Sequence, residues 1–135
     1  MIKTYVIDTN VLIQAPYALE CFEDNNLVLP LVVLEELDGL KKAEGEKGAN
    51  ARAAVRKLEK YRHRGDLLQG VELTGGGTLR VEKNYVQVEL PPDLPDDKPD
   101  NRILKVCKGL TEDKKADQVV LVTKDIVLRL KAQIL

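Results

Sequence analysis

The chain has 135 residues, with 21 basic and 22 acidic side chains, so it is long enough for one domain with a hydrophobic core. The near balance of charge excludes a general attraction to nucleic acid or to a membrane surface, and affinity for a polyanion must come from local basic patches or bound cations. Four tyrosines, one phenylalanine and no tryptophan argue against a binding module built on base-stacking aromatic side chains.

The cysteine and histidine content narrows the chemistry further. Cys21 and Cys107 stand alone, in no metal-ligand spacing, which suits a reducing cytosol. No apolar run approaches the ~20 residues that a membrane span needs, and the first residues do not resemble a signal peptide. The single histidine, His63, lies in a basic helical run. We therefore expect a cytoplasmic protein whose chemistry rests on carboxylates.

Two apolar runs predict buried parallel strands, and each ends near an aspartate. The run Ile2–Ile7 stops at Asp8, and the run Val119–Val122 is followed by a threonine, a lysine and Asp125. Continuous apolar runs are typical of strands buried on both faces of a parallel α/β sheet. Ligands of such sheets bind outside the carboxyl ends of the strands. The pattern therefore predicts an acidic site at one edge of the sheet.

A second pair of elements supplies a glutamate. After a short helix over Val11–Glu20, which Pro16 interrupts, residues 27–29 predict a strand, and Pro30 begins a helix that runs to about Leu40. At ~100° per residue, Glu36 lies on the rim of the apolar face of this helix, while its neighbour Glu35 points into solvent. The apolar face consists of Val33, Leu34, Leu37 and Leu40.

The middle of the chain predicts a loop and then a basic helix. Residues 41–48 are polar, with two glycines, and indicate a mobile loop. Residues 49–64 have helical apolar spacing, and the opposite face is rich in arginine and lysine. Such a face is more often only solvated, so it is a weak candidate for contacts with a phosphate backbone, which would matter only if the acidic site acts on a polyanion. Its candidate contact residues are Arg52, Arg56, Lys57 and Lys60.

The next segment predicts a β-hairpin over residues 71–82 around Gly75–Gly77. Another short strand is expected over Tyr85–Leu90, and the proline-rich stretch Pro91–Pro99 forms a connector. Asp100 begins a helix whose apolar face includes Ile103 and Leu110. Taken alone, Asp100 is better explained as an N-cap than as a functional carboxylate.

Considered together, the four acidic residues indicate a shared site rather than four separate structural roles. Asp8, Glu36, Asp100 and Asp125 all fall near the carboxyl edge of the predicted sheet. Carboxylates crowded at one edge raise the pKa values of one another and need a divalent cation to stay ionised. Ligation by oxygen alone suits Mg²⁺ or Mn²⁺ rather than zinc. Such a site can activate water and hold phosphoryl oxygens during in-line attack.

These motifs together resemble a PIN domain, closest to the N-terminal PIN domain of PhoH-family ATPases. The resemblance rests on Asp8-Thr9-Asn10 after the first strand, LPLVVLEELDGLKK, the hairpin GVELTGGGTLRVE, KPDNRIL and VLVTKD. It implies a three-layer α/β/α sandwich around a central parallel sheet, with a small β-hairpin insertion.

The resemblance also implies a function: a Mg²⁺- or Mn²⁺-dependent endoribonuclease that cleaves single-stranded RNA and leaves a 5′-phosphate. Carried over, the metal-site and catalytic positions are Asp8, Glu36, Asp100 and Asp125, with Thr9, Asn10 and Thr123 in support. The sequence has no Walker A motif. We therefore expect residues 1–135 to be one PIN domain, separated from a C-terminal ATPase domain of a longer chain.

Two alternatives remain open at the level of sequence. One is a PIN fold of little or no activity, which binds RNA or regulates its ATPase. The other is a receiver-like phospho-acceptor domain, in which Lys124 would follow the last strand. The second lacks an acceptor aspartate, because the strand at 27–29 ends at Pro30. The sequence leaves a homo-oligomer open.

Overall fold

Five strands form one sheet, and helices cover both of its faces. The computed structural model describes residues 3–22, 25–73, 76–95, 97–113 and 118–135. The strands are β1 (Thr4–Ile7), β2 (Asn26–Pro30), β3 (Val71–Glu72), β4 (Thr78–Glu82) and β5 (Val119–Val122). The helices are α1 (Thr9–Gln14), α2 (Leu31–Leu40), α3 (Gly45–Arg62), α4 (Pro99–Glu112) and α5 (Ile126–Ile134), with a 3₁₀ helix (Pro16–Glu20) after α1.

The strand order is β3-β4-β2-β1-β5. Four strands are parallel, and β3 is antiparallel to β4 at the edge. The predicted hairpin is therefore present, with Val71 opposite Leu79, and its second strand also pairs with β2 in the main sheet. Gly75 of its predicted turn lies outside the described residues. The α/β class expected from the sequence is confirmed.

The central strands are buried as their unbroken apolar sequences predict. Val6 and Ile7 of β1 and Leu27 and Leu29 of β2 have no exposed surface. Helices on both faces of a parallel sheet exclude water from both sides of such strands, which explains why their sequences do not alternate. In the described part of the chain, no helix combines the length and apolarity required to cross a membrane.

The direction of the chain across the sheet reverses at β1. From β1 the chain moves through α1 to β2 and β4, and α4 then leads it back to β5 on the other side of β1. The amide of Asp8 donates to the carbonyl of Val122 at 3.0 Å, so the two strand ends are level. Ligands of α/β sheets bind at such a reversal, outside the carboxyl ends of the strands.

Helix α3 begins inside the stretch that the sequence predicts to be a mobile loop. A Cβ atom at Gly48 would lie 1.7 Å from the carbonyl oxygen of Ala43, so glycine lets the loop pack directly on the helix. Arg52 donates hydrogen bonds to the carbonyls of Lys41 (2.7 Å) and Ala43 (3.3 Å). The loop is thus fixed to α3, and the predicted helix start at residue 49 is wrong by four residues.

The strand predicted over Tyr85–Leu90 is also wrong. Tyr85 has a positive φ of 49°, and its carbonyl accepts a 3.0 Å hydrogen bond from the amide of Val88, which closes a turn. Its ring packs over Gly109 of α4, where a Cβ atom would lie 2.2 Å from the ring. A tertiary contact, rather than strand pairing, therefore determines the conformation of this segment.

Candidate active site

Asp8 is the buried centre of the site. It follows β1 with 4% of its surface exposed, and its Oδ2 accepts a 2.6 Å hydrogen bond from the hydroxyl of Thr123. Burial raises the pKa of Asp8 because it disfavours the ionised form. The hydrogen bond from Thr123 opposes this shift, and the negative charges of Asp100 and Asp125 add to it. The site therefore holds Asp8 in one orientation among other carboxylates.

Glu36 is held beside Asp8 by a threonine. The Thr9 hydroxyl donates to Oε1 of Glu36 at 2.7 Å, and Glu36 is half-buried. Its pKa is raised mainly by burial, and the charges of Asp8 and Asp100 raise it further. Glu35 is exposed. The helical phase inferred from the sequence thus agrees with the structure, which directs Glu36 rather than Glu35 towards the cleft.

Asp100 enters the site from the first turn of α4. The N-cap residue is Lys98, Pro99 is the first helical residue and Asp100 is the second, so the N-cap interpretation of Asp100 is wrong. The neighbouring Asn101 is fully buried and donates to the carbonyl of Pro95 at 2.8 Å. This bond anchors the start of the helix and leaves the Asp100 carboxylate facing the cleft.

Asp125 has an internal partner that the sequence did not assign. It is the N-cap of α5, and its Oδ1 accepts hydrogen bonds from the amides of Val127 (2.9 Å) and Leu128 (3.4 Å). Its own amide donates to the Thr123 hydroxyl at 3.1 Å, and that hydroxyl donates in turn to Asp8. Asp125 therefore lies within electrostatic range of Asp8 while it also begins a helix.

The carboxylates open on a cleft of about 340 Å³ at the carboxyl edge of the sheet. The elements that meet there are the start of α1, the second half of α2, the first turn of α3 and the start of α4. The lining residues are Asp8, Thr9, Asn10, Glu36, Gly39, Leu40, Lys47 and Asp100. Three of the four predicted acidic residues thus face one space, and Asp125 is not among the lining residues.

The oxygen donors of the site suit a hard divalent cation, although the side chains as placed do not form a complete coordination sphere. Within the described ranges, no group of three or more Asp, Glu, His or Cys side chains is arranged closely enough to hold a metal ion. Glu36 and Asp125 are engaged by Thr9 and by backbone amides. Oxygen donors that raise the pKa values of one another nevertheless suit Mg²⁺ or Mn²⁺, which would relieve their repulsion.

The predicted RNA-contact residues on α3 differ in their surroundings. Arg52 is hydrogen-bonded to the loop before α3, and Lys57 forms a 3.1 Å ion pair with Glu20. Arg56 and Lys60 are exposed. Arg52 and Lys57 therefore have a structural role already. Of the exposed pair, Lys60 lies near enough to Glu20 to help lower its pKa.

Sequence reasoning missed two residues that line the cleft, Gly39 and Lys47. Gly39 precedes the last residue of α2, and Lys47 belongs to the first turn of α3, which the sequence predicted to be loop. The signal that was available for Gly39 was a glycine within a predicted helix. No local signal pointed to Lys47, because its position depends on the contact between Gly48 and Ala43.

Fold and site together define an α/β domain with an acidic cleft at the reversal of its sheet, and the family model of the PIN domain matches residues 5–135. The chain therefore belongs to the PIN domain family, whose members are generally nucleases. This match excludes the receiver-like alternative.

The curated relatives are longer proteins. Protein PhoH2 of Bacillus subtilis is 42% identical over 137 residues, which cover 98% of this chain and 31% of that protein. Protein PhoH2 of Mycolicibacterium smegmatis is 42% identical over 134 residues, which cover 97% of this chain and 30% of that protein. This chain thus spans about a third of the length of these relatives.

A solved structure supports the fold independently. A domain of a functionally unknown protein from Methanocaldococcus jannaschii superposes with a TM-score of 0.55 at 20% identity. The superposition covers 97% of this chain and 84% of that one. At this identity the likeness concerns the arrangement of strands and helices alone.

Proposed function

We propose that this domain is a metal-dependent endoribonuclease that hydrolyses phosphodiester bonds in single-stranded RNA. The observation that carries the proposal is the convergence of Asp8, Glu36 and Asp100 on one cleft, with Asp125 close enough to raise the pKa of Asp8. Carboxylates gathered in this way weaken the fold unless a cation joins them, and PIN domains are generally nucleases.

In this mechanism the chain positions its acidic groups and keeps them oriented. Asp8, held by Thr123, and Glu36, held by Thr9, would hold Mg²⁺ or Mn²⁺ together with Asp100 and Asp125. When bound, the ion would supply an acidified water and stabilise negative charge on the phosphoryl oxygens. The hydroxyls of Thr9 and Thr123 donate hydrogen bonds to the carboxylates of Glu36 and Asp8. These bonds orient the carboxylates before substrate binds. Asn10 is exposed at the cleft and can contact the substrate.

The cleft has room for a nucleotide unit. Its volume of about 340 Å³ lies within the ~300–1,000 Å³ found for ligand pockets. The net charge of −1 gives no long-range attraction for RNA, so the local contacts of the cleft and of Arg56 and Lys60 would position the strand.

The longer protein would join this nuclease to a C-terminal ATPase domain, as the length of the PhoH2 relatives suggests. We place the protein in the cytoplasm, in line with the two free cysteines Cys21 and Cys107.

A second candidate is a PIN module of little or no activity that binds RNA or regulates the ATPase. One observation favours it: Asp125 and Glu36 already have internal hydrogen-bond partners, and the described residues form no finished metal-ligand set. To bind the ion, these carboxylates would have to leave their present hydrogen-bond partners or bind the ion and the partners at the same time.

The deciding experiment is cleavage of an end-labelled single-stranded RNA by the purified chain, with Mn²⁺, with Mg²⁺ and with EDTA. We expect internal cleavage with metal, none with EDTA and none by Asp8→Asn. Mn²⁺ should also raise the melting temperature of the wild type, because it binds only the folded state. RNA binding without cleavage at every metal concentration would favour the inactive module instead.

A further inference from the structure

Lys47 places one positive charge on the wall of the acidic cleft. We propose that Lys47 and Gly39 form a subsite for a backbone phosphate of the RNA, next to the phosphate that is cleaved. This inference rests on the proposed function, and it assigns a substrate-binding role to two residues that the acidic motif does not include.

The side chain of Lys47 has no competing partner in the described parts of the chain. It is exposed, it lines the same cleft as Asp8 and Glu36, and no hydrogen bond or ion pair engages it there. The basic side chains of Lys41 and Arg52, by contrast, already have partners. Lys41 pairs with Asp38 at 2.7 Å, and Arg52 is bonded to the loop carbonyls.

Lys47 is also not the counter-ion of the carboxylates. Among the described residues, no ion pair or hydrogen bond joins Lys47 to Asp8, Glu36 or Asp100. The lysine therefore stands on the wall of the cleft and apart from the acidic centre. A cation in that position offsets the repulsion that a phosphate meets as it approaches a group of carboxylates.

Gly39 leaves the neighbouring wall of the cleft open. A Cβ atom at this position would meet nothing within 4 Å, whereas at Gly48 and Gly109 it would collide with Ala43 and with the ring of Tyr85. Packing therefore demands glycine at Gly48 and Gly109 and does not demand it at Gly39. Glycine is nevertheless among the least favourable residues within a helix. A requirement for free space above α2 accounts for it.

The ligand class follows from this pairing of a cation with an open wall. An ammonium group forms charge-assisted hydrogen bonds with phosphate oxygens through its three donors, and it imposes no base preference. The absence of a side chain at Gly39 gives the ribose-phosphate backbone room to pass. The subsite would therefore hold the backbone of a single strand and contribute affinity without sequence specificity.

The test compares Lys47→Gln with Lys42→Gln, a control at an exposed lysine that does not line the cleft. Cleavage kinetics are measured with Mn²⁺ on one single-stranded RNA at several salt concentrations. We expect Lys47→Gln to lower kcat/KM about tenfold, mainly through KM, and Lys47→Arg to restore most of it. The slope of log affinity against log salt should become shallower by ~0.7, the value for one phosphate contact on a single strand.

The glycine is tested with Gly39→Ala and Gly39→Phe. Each added side chain should lower kcat/KM, slightly for alanine and at least tenfold for phenylalanine, while circular dichroism shows a folded protein. If Lys47→Gln matches Lys42→Gln in kinetics and salt slope, the subsite is wrong although the nuclease stands. If the wild type does not cleave, the proposed function fails. The subsite is then tested by RNA binding alone, through the salt slope of Lys47→Gln compared with that of Lys42→Gln.

Discussion

The hydroxyl of Thr9 donates a 2.7 Å hydrogen bond to Oε1 of Glu36, which ties the first turn of α1 to the sixth residue of α2. Two elements that follow different strands thus fix one carboxylate at the cleft. The adjacent Glu35 is exposed and provides a chemically identical control on the same helix.

We therefore expect Glu36→Gln to lower cleavage at least 10²-fold, which corresponds to ~2.7 kcal/mol of transition-state stabilisation, because the site loses a charged ligand. Glu35→Gln should remain close to wild type, since surface changes away from special features have small effects. Both variants are assayed at saturating Mn²⁺ on one single-stranded RNA. An inactive Glu35→Gln beside an active Glu36→Gln would refute the site assignment.

Removal of the charge of Asp8 should abolish cleavage without weakening the fold. Burial and two neighbouring carboxylates disfavour its ionised form, while an asparagine oxygen can still accept the hydrogen bond from Thr123. The melting temperature of metal-free Asp8→Asn should therefore equal or exceed that of the wild type in a thermal melt with EDTA. Unfolding of the variant would show that Asp8 is a structural residue.

The same carboxylates predict a pH dependence of stability. The pKa values of Asp8 and Glu36 lie above the ordinary 3.8 and 4.5, so the folded state holds these protons more tightly than the unfolded chain does. Their contribution to stability is complete below the ordinary values and is lost as the pH rises through the raised pKa values. With EDTA present, the advantage of Asp8→Asn over the wild type in melting temperature should therefore grow from pH ~4 towards neutrality.

Surface carboxylates such as Glu20 and Asp38 have lowered pKa values, so their contribution to the stability of the fold is lost as the pH falls. This dependence is opposite to that of Asp8 and Glu36. Because both proteins share these surface carboxylates, they cancel in the difference between the two melting curves. A difference that does not change with pH would contradict the raised pKa of Asp8.

Asp125 allows its capping role to be separated from its proposed metal role. Asparagine caps helices about as well as aspartate, so Asp125→Asn should keep the melting temperature while it loses cleavage. Asp125→Ala should lose cleavage and in addition ~1 kcal/mol of stability, since the amides of Val127 and Leu128 lose their acceptor. Retained cleavage by Asp125→Asn would limit this residue to the helix cap.

The basic face of α3 should divide in the same manner. Arg56→Gln should weaken RNA binding and leave the melting temperature unchanged, because Arg56 is exposed. Arg52→Gln should lower the melting temperature by a few degrees at most, because it releases the loop carbonyls of Lys41 and Ala43. Fluorescence anisotropy with a labelled RNA and thermal melts test both variants. Equal RNA affinity of Arg56→Gln and wild type would mean that this face is only solvated.

The parts of the molecule that sequence could predict are those that local pattern determines. The strand Val119–Val122 has the predicted bounds, since a short apolar run followed by polar residues marks its ends. Its predicted burial is only partial, because β5 lies at the edge of the sheet. The orientation of Glu36 follows from helical phase alone. The order of the strands was not predicted, because apolar runs do not record which of them are neighbours.

The parts that could not be predicted depend on tertiary contacts. Helix α3 starts early because Gly48 packs on the Ala43 carbonyl, and Tyr85 turns because Gly109 receives its ring. Asp100 is not the N-cap because the helix begins one residue earlier, at Pro99. The two glycine contacts join residues of no common periodic pattern, so hydrophobic spacing could not reveal them. The start of α4 did have a local signal, because proline is favoured at the first position of a helix.

The bond between Asp8 and Thr123 joins residues 115 positions apart, and it has a consequence for the newly made protein. Of the five strands of the sheet, β1 is synthesised first and its neighbour β5 last. Pairing of such distant segments is a late step in folding. The acidic centre therefore stays incomplete until the last strand of the sheet has been synthesised. A fragment that ends before Thr123 lacks the hydroxyl that orients Asp8.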